Sequence, residues 1–272
     1  MDRGWIGRTA RSWARILLLA YLVSAIIAAF GQRYLIYPTW ASHLLESVYV
    51  PLGTERVEIP TADGERLLGF WKAPAPGKPV ILTFHGNASS PMPHAERFTR
   101  LPWSANGWGV LAIAYRGYPG SSGSPSESGL SEDAEAAWRF VRDRARDSKV
   151  LLHGHSLGAA VAIHLAQGKD VVGLYLEAPF TSMVDMARLR AWWLPVDWLV
   201  RDTFRSDRRI ADLPFPVFVV HGDADPVIPF DYGKRLAGMA RDGTFREVKG
   251  GDHVSLFGAL DKEAEARFRP PS

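Results

Sequence analysis

Residues 150–166 read VLLHGHSLGAAVAIHLA, and this stretch decides the fold. Its first part is an apolar run typical of a strand buried on both faces, and its last part is typical of a helix. Between them lies Gly154-His155-Ser156-Leu157-Gly158, a G-x-S-x-G pattern in the strand–turn–helix context of a nucleophile elbow. Such a turn needs glycine on both sides of the serine, because a Cβ there would clash. The pattern predicts Ser156 as a nucleophile held near the positive end of a helix.

Strand-like and helix-like segments alternate along the rest of the chain. The strand candidates are residues 56–60, 66–73, 80–84, 109–115, 150–155, 171–177, 217–221 and 244–249, and the helical patterns cover residues 94–106, 130–147, 157–167, 232–240 and 253–267. The central strands are almost continuously apolar, whereas the first two carry more polar residues and favour an antiparallel edge hairpin. The alternation predicts an α/β fold with a mostly parallel eight-stranded sheet and helices on both faces.

A serine nucleophile needs a base, and the base needs a carboxylate to orient it. In sheets of this kind the chain order is Ser, Asp, His. His253 is the only histidine after residue 225, so we expect it to be the base. For the acid we select Asp225, which follows the apolar strand VFVV, and Asp223 and Glu177 remain alternatives. Asp252, next to the base, is expected to cap the following helix.

The oxyanion formed during acyl transfer needs two preorganised donors. We expect one to be the backbone N–H of Leu157, after the nucleophile. The second is expected in HGNA at residues 85–88, where we assign the N–H of Asn87, with Ala88 as the neighbouring candidate and a plain turn as the alternative.

Other ligand chemistry finds little support in the motifs. His85, His153, His155 and His221 could in principle bind a metal, but no HExxH motif occurs and none is expected to do so. The Gly/Ser-rich residues 117–129 lack the phosphate-binding patterns. We therefore expect neither a metal nor a cofactor.

Residues 16–30 read ILLLAYLVSAIIAAF and contain no charged residue. As a helix they would span about 22 Å, and flanking aromatic residues and Arg15 can extend this toward the ~30 Å hydrocarbon core. Four arginines precede the segment, so the positive-inside rule places the N-terminus in the cytoplasm and the remainder outside. We expect residues 1–37 to be a basic tail and single-pass membrane anchor. The alternatives are a signal peptide cleaved near Gly31, which would give a secreted or periplasmic protein, and a buried soluble helix.

Composition excludes several classes of protein. The 272 residues are 47% hydrophobic and 22% charged, which is globular and neither disordered nor collagen-like. The absence of cysteine excludes disulfides and a cysteine nucleophile. The formal net charge of +3 resides in the first fifteen residues, so the remaining chain, residues 16–272, is neutral. We expect no nucleic-acid partner and a monomeric body.

Together these motifs resemble the α/β-hydrolase superfamily. The resemblance extends from residue 57 to the C-terminus and rests on HGNA at 85–88, YRGYPGSSGSPSE at 115–127, GHSLGAA at 154–160, EAPF at 177–180, HGDADPVIP at 221–229 and GGDH at 250–253. The chain is similar to a branch of single-domain serine hydrolases with an N-terminal membrane anchor, described as serine-aminopeptidase-like or acyl-protein-thioesterase-like. The resemblance implies Ser156, Asp225 and His253 as a catalytic triad and supports Asn87 and Leu157 as oxyanion donors.

Residues 181–212 are too long for a simple loop and predict a small helical cap. The cap contains apolar residues, which either pack on the sheet or form a wall for an acyl chain: Trp192, Trp193, Leu194, Trp198, Leu199 and Phe204. We expect a serine hydrolase that cleaves carboxylic ester or thioester bonds of a small or lipid-like acyl substrate. One alternative is a serine exopeptidase, with Glu177 or Asp223 pairing the substrate amine. The other is a non-catalytic, membrane-anchored binding module.

Overall fold

A computed structural model describes residues 3–44 and 49–270. Residues 1–2, 45–48 and 271–272 of the expected anchor and body lie outside the described residues. Within the described ranges, eight strands form one sheet in the order β1-β2-β4-β3-β5-β6-β7-β8. They are β1 (Glu55–Pro60), β2 (Arg66–Lys72), β3 (Val80–Phe84), β4 (Gly109–Ile113), β5 (Val150–His155), β6 (Gly173–Glu177), β7 (Val217–Gly222) and β8 (Gly243–Val248).

The pairing of the strands confirms the predicted sheet. β1 pairs antiparallel with β2, and β2 pairs antiparallel with β4. The remaining pairs are parallel, from β4 through β3, β5, β6 and β7 to β8. In a parallel sheet the carboxyl ends of the strands meet at one edge, which is where the loops after β3, β5, β7 and β8 lie together.

Helices cover both faces of the sheet. The helices of the described residues are α1 (Arg3–Ile36), α2 (Thr39–His43), α3 (Pro91–Phe98), α4 (Glu127–Arg144), α5 (Leu157–Ala166), α6 (Met183–Arg190), α7 (Val196–Leu199), α8 (Ser206–Arg209), α9 (Phe230–Met239) and α10 (Asp261–Phe268). Neighbouring strand residues such as Ile81 and Leu82 belong to two different hydrophobic clusters, because alternate side chains point to opposite faces. One cluster includes residues of α4 and α5, and the other includes residues of α3 and α10.

Two predicted helices are wrong in extent. The pattern over residues 94–106 forms α3, which ends at Phe98, and a separate 3₁₀ turn at Ser104–Asn106. Pro102 explains the break, since a proline disfavours helical backbone at the preceding residue. The pattern over residues 253–267 becomes helical only at Asp261. Gly258 precedes this helix with a φ of 79°, a left-handed conformation that a helix cannot continue through.

The N-terminal helix extends well beyond the apolar run. α1 has 34 residues, and it is long and apolar enough to cross a membrane by length and composition. Residues 11–24 are exposed throughout, so this part of α1 is not the buried helix of the third alternative. Further along α1, Ala25 and Ala28 pack against a small cluster formed by Val184, Leu194 and Val196.

The segment between β6 and β7, residues 181–212, is the cap segment. It consists of α6, α7, α8 and a 3₁₀ turn at Ile210–Asp212, as predicted for a small helical cap. Its aromatic residues divide into two groups. Trp192, Trp193 and Trp198 are 78%, 51% and 90% exposed, whereas Phe204 is 3% exposed and packs in the main core.

Candidate active site

Ser156 occupies a strained turn between β5, which ends at His155, and α5, which begins at Leu157. Its φ of 54° and ψ of −116° are unfavourable for a residue with a side chain. The flanking glycines make the turn possible. A Cβ on Gly154 would overlap the backbone of Gly158, and a Cβ on Gly158 would overlap the backbone of Phe84 at the end of β3. The serine N–H donates to the carbonyl of Glu177 at 2.9 Å, which fixes the turn to β6.

The structure brings His253 and Asp225 together. Nδ1 of His253 lies 2.7 Å from Oδ2 of Asp225. A carboxylate only accepts, so Nδ1 carries a proton, and in the neutral form of the ring Nε2 is the nitrogen with the lone pair. The second carboxylate oxygen, Oδ1, accepts from the backbone N–H groups of Val227 at 2.8 Å and Ile228 at 3.0 Å. Burial opposes the charge, but hydrogen bonds from His221, His253 and Ile228 hold the pKa of Asp225 well below its usual range.

His221 also contacts the Asp225 carboxylate, a role that the sequence did not suggest. Its Nε2 lies 3.2 Å from Oδ2 of Asp225 and 3.2 Å from the carbonyl oxygen of Ile228. Both neighbours are acceptors, so Nε2 carries the proton. Among the described residues, Nδ1 of His221 is buried and has no hydrogen-bond partner. The sequence signal for this contact is the spacing of four residues between His221 and Asp225 at the end of a buried strand.

The two alternative acids are engaged elsewhere. Oδ1 of Asp223 accepts from the N–H of Gly250 at 2.5 Å, which links the loops after β7 and β8. Glu177 is fully buried and binds Nη1 of Arg97 at 2.5 Å and Nε2 of His153 at 2.9 Å. Burial opposes the charge of Glu177, but the Arg97 guanidinium holds the pKa of its carboxyl well below the usual range. Neither carboxylate is therefore placed as Asp225 is, on the His253 ring.

Buried polar groups also hold the segment that carries His253. Nε2 of His155 lies 3.0 Å from the carbonyl oxygen of His253, so the residue before the nucleophile contacts the candidate base directly. The N–H of Gly258 donates to Oε1 of Glu177 at 2.9 Å. Asp252 accepts from the N–H groups of Val254 and Ser255 at 2.9 and 2.7 Å, so it caps the turn after β8 rather than a helix.

The loop after β3 lies beside the elbow. A Cβ on Gly86 would lie 2.8 Å from Nδ1 of His155, so only glycine allows this approach. The N–H of Ala88 donates to Oδ1 of Asn87 at 2.8 Å, which occupies the neighbouring candidate donor. Tyr115 supports the loop from below, because its hydroxyl donates to the carbonyl of His85 at 3.0 Å. Asn87 and Leu157 line the same cavity as Ser156.

A cavity of about 850 Å³ lies above the elbow. Ser156 and His253 line it together with mostly apolar residues from the cap segment and from α1. The cap residues are Met183, Met186, Ala187, Arg190, Ala191, Leu194, Val196, Leu199 and Val200. Among the described residues that line the cavity there is no aspartate or glutamate, and Arg190 is the one arginine or lysine. Leu194 and Leu199 therefore form part of the cavity wall, whereas the exposed tryptophans of the cap do not line the cavity.

The buried histidines are used in packing and hydrogen bonds. Thr83 Oγ1 lies 2.8 Å from Nδ1 of His94 and 2.7 Å from Nδ1 of His153. Over residues 3–44 and 49–270, no cluster of three or more His, Asp or Glu side chains could hold a metal ion.

Comparison with known proteins agrees with this architecture. A model of the Alpha/beta hydrolase family matches residues 80–212. An uncharacterized protein of Mycobacterium tuberculosis is 34% identical over 242 residues, which cover 86% of this chain and 85% of that protein. The chain belongs to the α/β hydrolase family. An alpha-beta hydrolase from Vibrio vulnificus has the same fold, with a TM-score of 0.65, 24% sequence identity and coverage of 79% of this chain and 81% of that one.

A further relative has a named activity. The lysophosphatidylserine lipase ABHD12 of Xenopus tropicalis is 32% identical over 198 residues, which cover 66% of this chain and 51% of the lipase. The chain thus spans about half the length of that relative.

Proposed function

We propose that this α/β hydrolase is a serine hydrolase that cleaves carboxylic ester or thioester bonds of substrates with an apolar acyl group. One observation carries the proposal: His253, whose ring is hydrogen-bonded to Asp225, lines an apolar cavity together with Ser156 on its strained turn. The similarity to a lysophosphatidylserine lipase supports a lipid-like substrate. Ser156, His253 and Asp225 would form the catalytic triad.

The residues would act in two half-reactions. Nε2 of His253 takes the proton of Ser156 as Oγ bonds to the acyl carbon, and the carbonyl electron pair moves onto oxygen. The N–H groups of Asn87 and Leu157 stabilise this oxyanion. The tetrahedral adduct then expels the alkoxide or thiolate, which takes the proton from His253. Water gives a proton to the same imidazole as it attacks the acyl-enzyme. The bond between Oγ of Ser156 and the acyl carbon then breaks, and Oγ takes that proton back as the acid is released. Asp225 holds the ring in the required tautomer and stabilises the imidazolium.

The cavity favours this reaction over the exopeptidase alternative. An aminopeptidase must bind the ammonium group of its substrate, which needs an acceptor or a negative charge. Among the described residues lining the cavity none is a carboxylate, and Glu177 is paired with Arg97 outside it. Binding of an apolar acyl chain, in contrast, is favoured by its burial against the methionine and leucine side chains of the cavity.

A fluorophosphonate probe tests the proposal, because it modifies an activated serine covalently. We expect the full-length protein in detergent to be labelled, and Ser156→Ala and His253→Ala to lose the label. p-Nitrophenyl esters should be hydrolysed at least about a hundred-fold faster than aminoacyl p-nitroanilides. Absence of labelling and of ester turnover in the parent protein would support the binding-module alternative instead.

We further propose that residues 1–37 are a basic tail and membrane anchor, with residues 38–272 as a hydrolase domain on the extracytoplasmic side. Residues 16–23 of α1 are exposed and apolar, as a lipid-facing helix would be. The exposed Trp192, Trp193 and Trp198 of the cap suit the interfacial region of a bilayer.

The mass of the mature protein separates this proposal from signal cleavage. An anchored protein keeps its N-terminal residues and fractionates with membranes, and external protease degrades its hydrolase domain in intact cells. A soluble protein that begins near Gln32 would contradict the anchor.

A further inference from the structure

The last turns of α1 form part of the cavity wall. Ala28, Gln32, Leu35 and Ile36 line the cavity that contains Ser156 and His253. Positions 28, 32 and 36 are four residues apart and position 35 is three after 32, so all four lie on one face of the helix. The helix expected to serve as an anchor therefore contributes surface to the space in which an acyl substrate would bind.

Hydrogen bonds fix this face of α1 to the cap segment. Nε2 of Gln32 donates to the carbonyl oxygen of Leu199 at 2.9 Å, and Oε1 of Gln32 accepts from the N–H of Arg201 at 2.8 Å. The Tyr37 hydroxyl donates to Oδ2 of Asp202 at 3.1 Å. The Gln32 carboxamide is thus satisfied at both ends although the residue is only 8% exposed. This is a built attachment, and it holds the neighbouring apolar positions of α1 against the cavity.

The length of α1 places this wall at the bilayer. The apolar run begins at Ile16, and its residues 16–24, which are exposed throughout, would span about 14 Å as a helix, which is less than the ~30 Å of a hydrocarbon core. If α1 crosses the membrane, the remaining part of the crossing falls on residues after 24. Those are the turns that pack on the cap and line the cavity. The acyl-binding space would then border the hydrocarbon layer directly.

We infer that α1 forms part of the acyl-chain-binding surface as well as the anchor. We also infer that the size of the side chain at position 28 limits the length of acyl chain that the cavity accepts. The inference rests on the proposed ester hydrolysis. Ala28 has the smallest side chain of the four lining positions on α1, so a larger group there would occupy volume that an acyl chain needs. Ile27, the preceding residue, is 61% exposed and does not line the cavity.

A graded substitution series tests this inference in the full-length protein in detergent. The variants are Ala28→Val, Ala28→Leu and Ala28→Trp, with Ile27→Trp as the matched control of equal bulk on the outward face. For each, kcat/KM is measured with p-nitrophenyl butyrate and p-nitrophenyl laurate. We expect the laurate-to-butyrate ratio to fall progressively with side-chain size, by about ten-fold or more in Ala28→Trp, and to change less than two-fold in Ile27→Trp. Ala28→Leu gives the same readout if the tryptophan variant does not express.

Two outcomes would overturn the inference while the proposed function stands. In the first, all Ala28 variants that hydrolyse esters keep the parent ratio. In the second, Ile27→Trp changes the ratio as much as Ala28→Trp, which would assign the effect to the lipid-facing surface of α1. Failure of the parent protein to hydrolyse either ester or to react with a fluorophosphonate would instead reject the proposed function itself.

Discussion

Nε2 of His221 lies 3.2 Å from Oδ2 of Asp225, the same oxygen that accepts from the ring of His253. Two histidine rings therefore contact one carboxylate oxygen. One ring is fully buried with its second nitrogen unpartnered among the described residues, and the other lines the cavity. With two backbone N–H groups on Oδ1, Asp225 is held in one orientation and in its charged form. The orientation of the candidate base depends on that rigidity.

Removal of the charge on Asp225 should abolish most of the activity. We expect Asp225→Asn to lower kcat/KM for p-nitrophenyl butyrate by about 10⁴-fold, because an amide in that place stabilises the wrong tautomer of the base. Asp223→Asn is the matched control and should stay within a few-fold of the parent, since Asp223 binds the Gly250 N–H rather than the ring of His253. Equal losses in the two variants would contradict the assignment.

His221 is expected to act as a positioning residue. His221→Phe removes a buried donor to a charged carboxylate, a hydrogen bond of the class worth about 1.5–3 kcal/mol. We expect kcat to fall about ten-fold with KM unchanged, because the cavity does not include this side chain. His164→Phe on α5, away from the carboxylate, provides the comparison and should retain the parent kcat. A rise in KM with normal kcat would argue against positioning.

The elbow glycines should tolerate no side chain. For Gly158→Ala we expect a loss of about 3 kcal/mol of unfolding free energy or failure to fold, because the new Cβ overlaps the Phe84 backbone. Gly238→Ala in α9 meets nothing within 4 Å and should gain about 0.5–1 kcal/mol from reduced backbone entropy. Urea denaturation in detergent measures both. Stabilisation by Gly158→Ala would refute the described turn.

Stability should decrease at mildly acidic pH. Burial lowers the pKa of His85 and of His155 from the ordinary 6.5 to about 4, and it also lowers the pKa of His94 and His153. Between these values the unfolded chain binds more protons than the folded one, so the unfolding free energy falls as pH drops from 6.5 toward 4. Urea midpoints at pH 7.5 to 4 measure this. His85→Gln should have a shallower decline, and a flat curve for the parent would disprove the prediction.

The attachment of α1 should control opening of the cap. Gln32→Ala removes the hydrogen bonds to Leu199 and Arg201, so we expect amide hydrogen exchange over residues 196–202 to accelerate about ten-fold. Ser24→Ala is the control on the same helix, because Ser24 bonds only within α1, to the carbonyl of Ala20. Unchanged exchange in Gln32→Ala would show that the apolar contacts of Ala25 and Ala28 suffice.

Local patterns predicted the sheet and the elbow well. Buried parallel strands such as β3 are continuous apolar runs, so their positions can be read from hydropathy, and β3 begins and ends as predicted. The turn at Ser156 could be predicted because its glycines are required by steric overlap within a few residues and across one strand pair. The helix predicted from residue 253 was wrong. The prediction relied on the apolar periodicity of residues 253–267, whereas the left-handed conformation of Gly258 prevents a helix before Asp261.

The choice among carboxylates was less accessible from sequence. Asp223 and Asp225 follow β7, and Glu177 ends β6 at the same sheet edge, so the sequence favoured Asp225 without excluding the other two. Arg97 decides the case of Glu177, and it comes from α3, which lies on a different part of the chain.

The amino-acid sequence by itself determined the succession of strands along the chain, the strained serine turn and the apolar character of the N-terminal helix. Each of these features arises mainly from residues that are neighbours in the chain. Tertiary structure alone decided that Asp225 also meets His221, that the cap turns leucines inward and tryptophans outward, and that Gln32 joins Leu199 across 167 positions. Contacts of that kind depend on how separate elements pack, and a polar residue just after an apolar run does not reveal its partner.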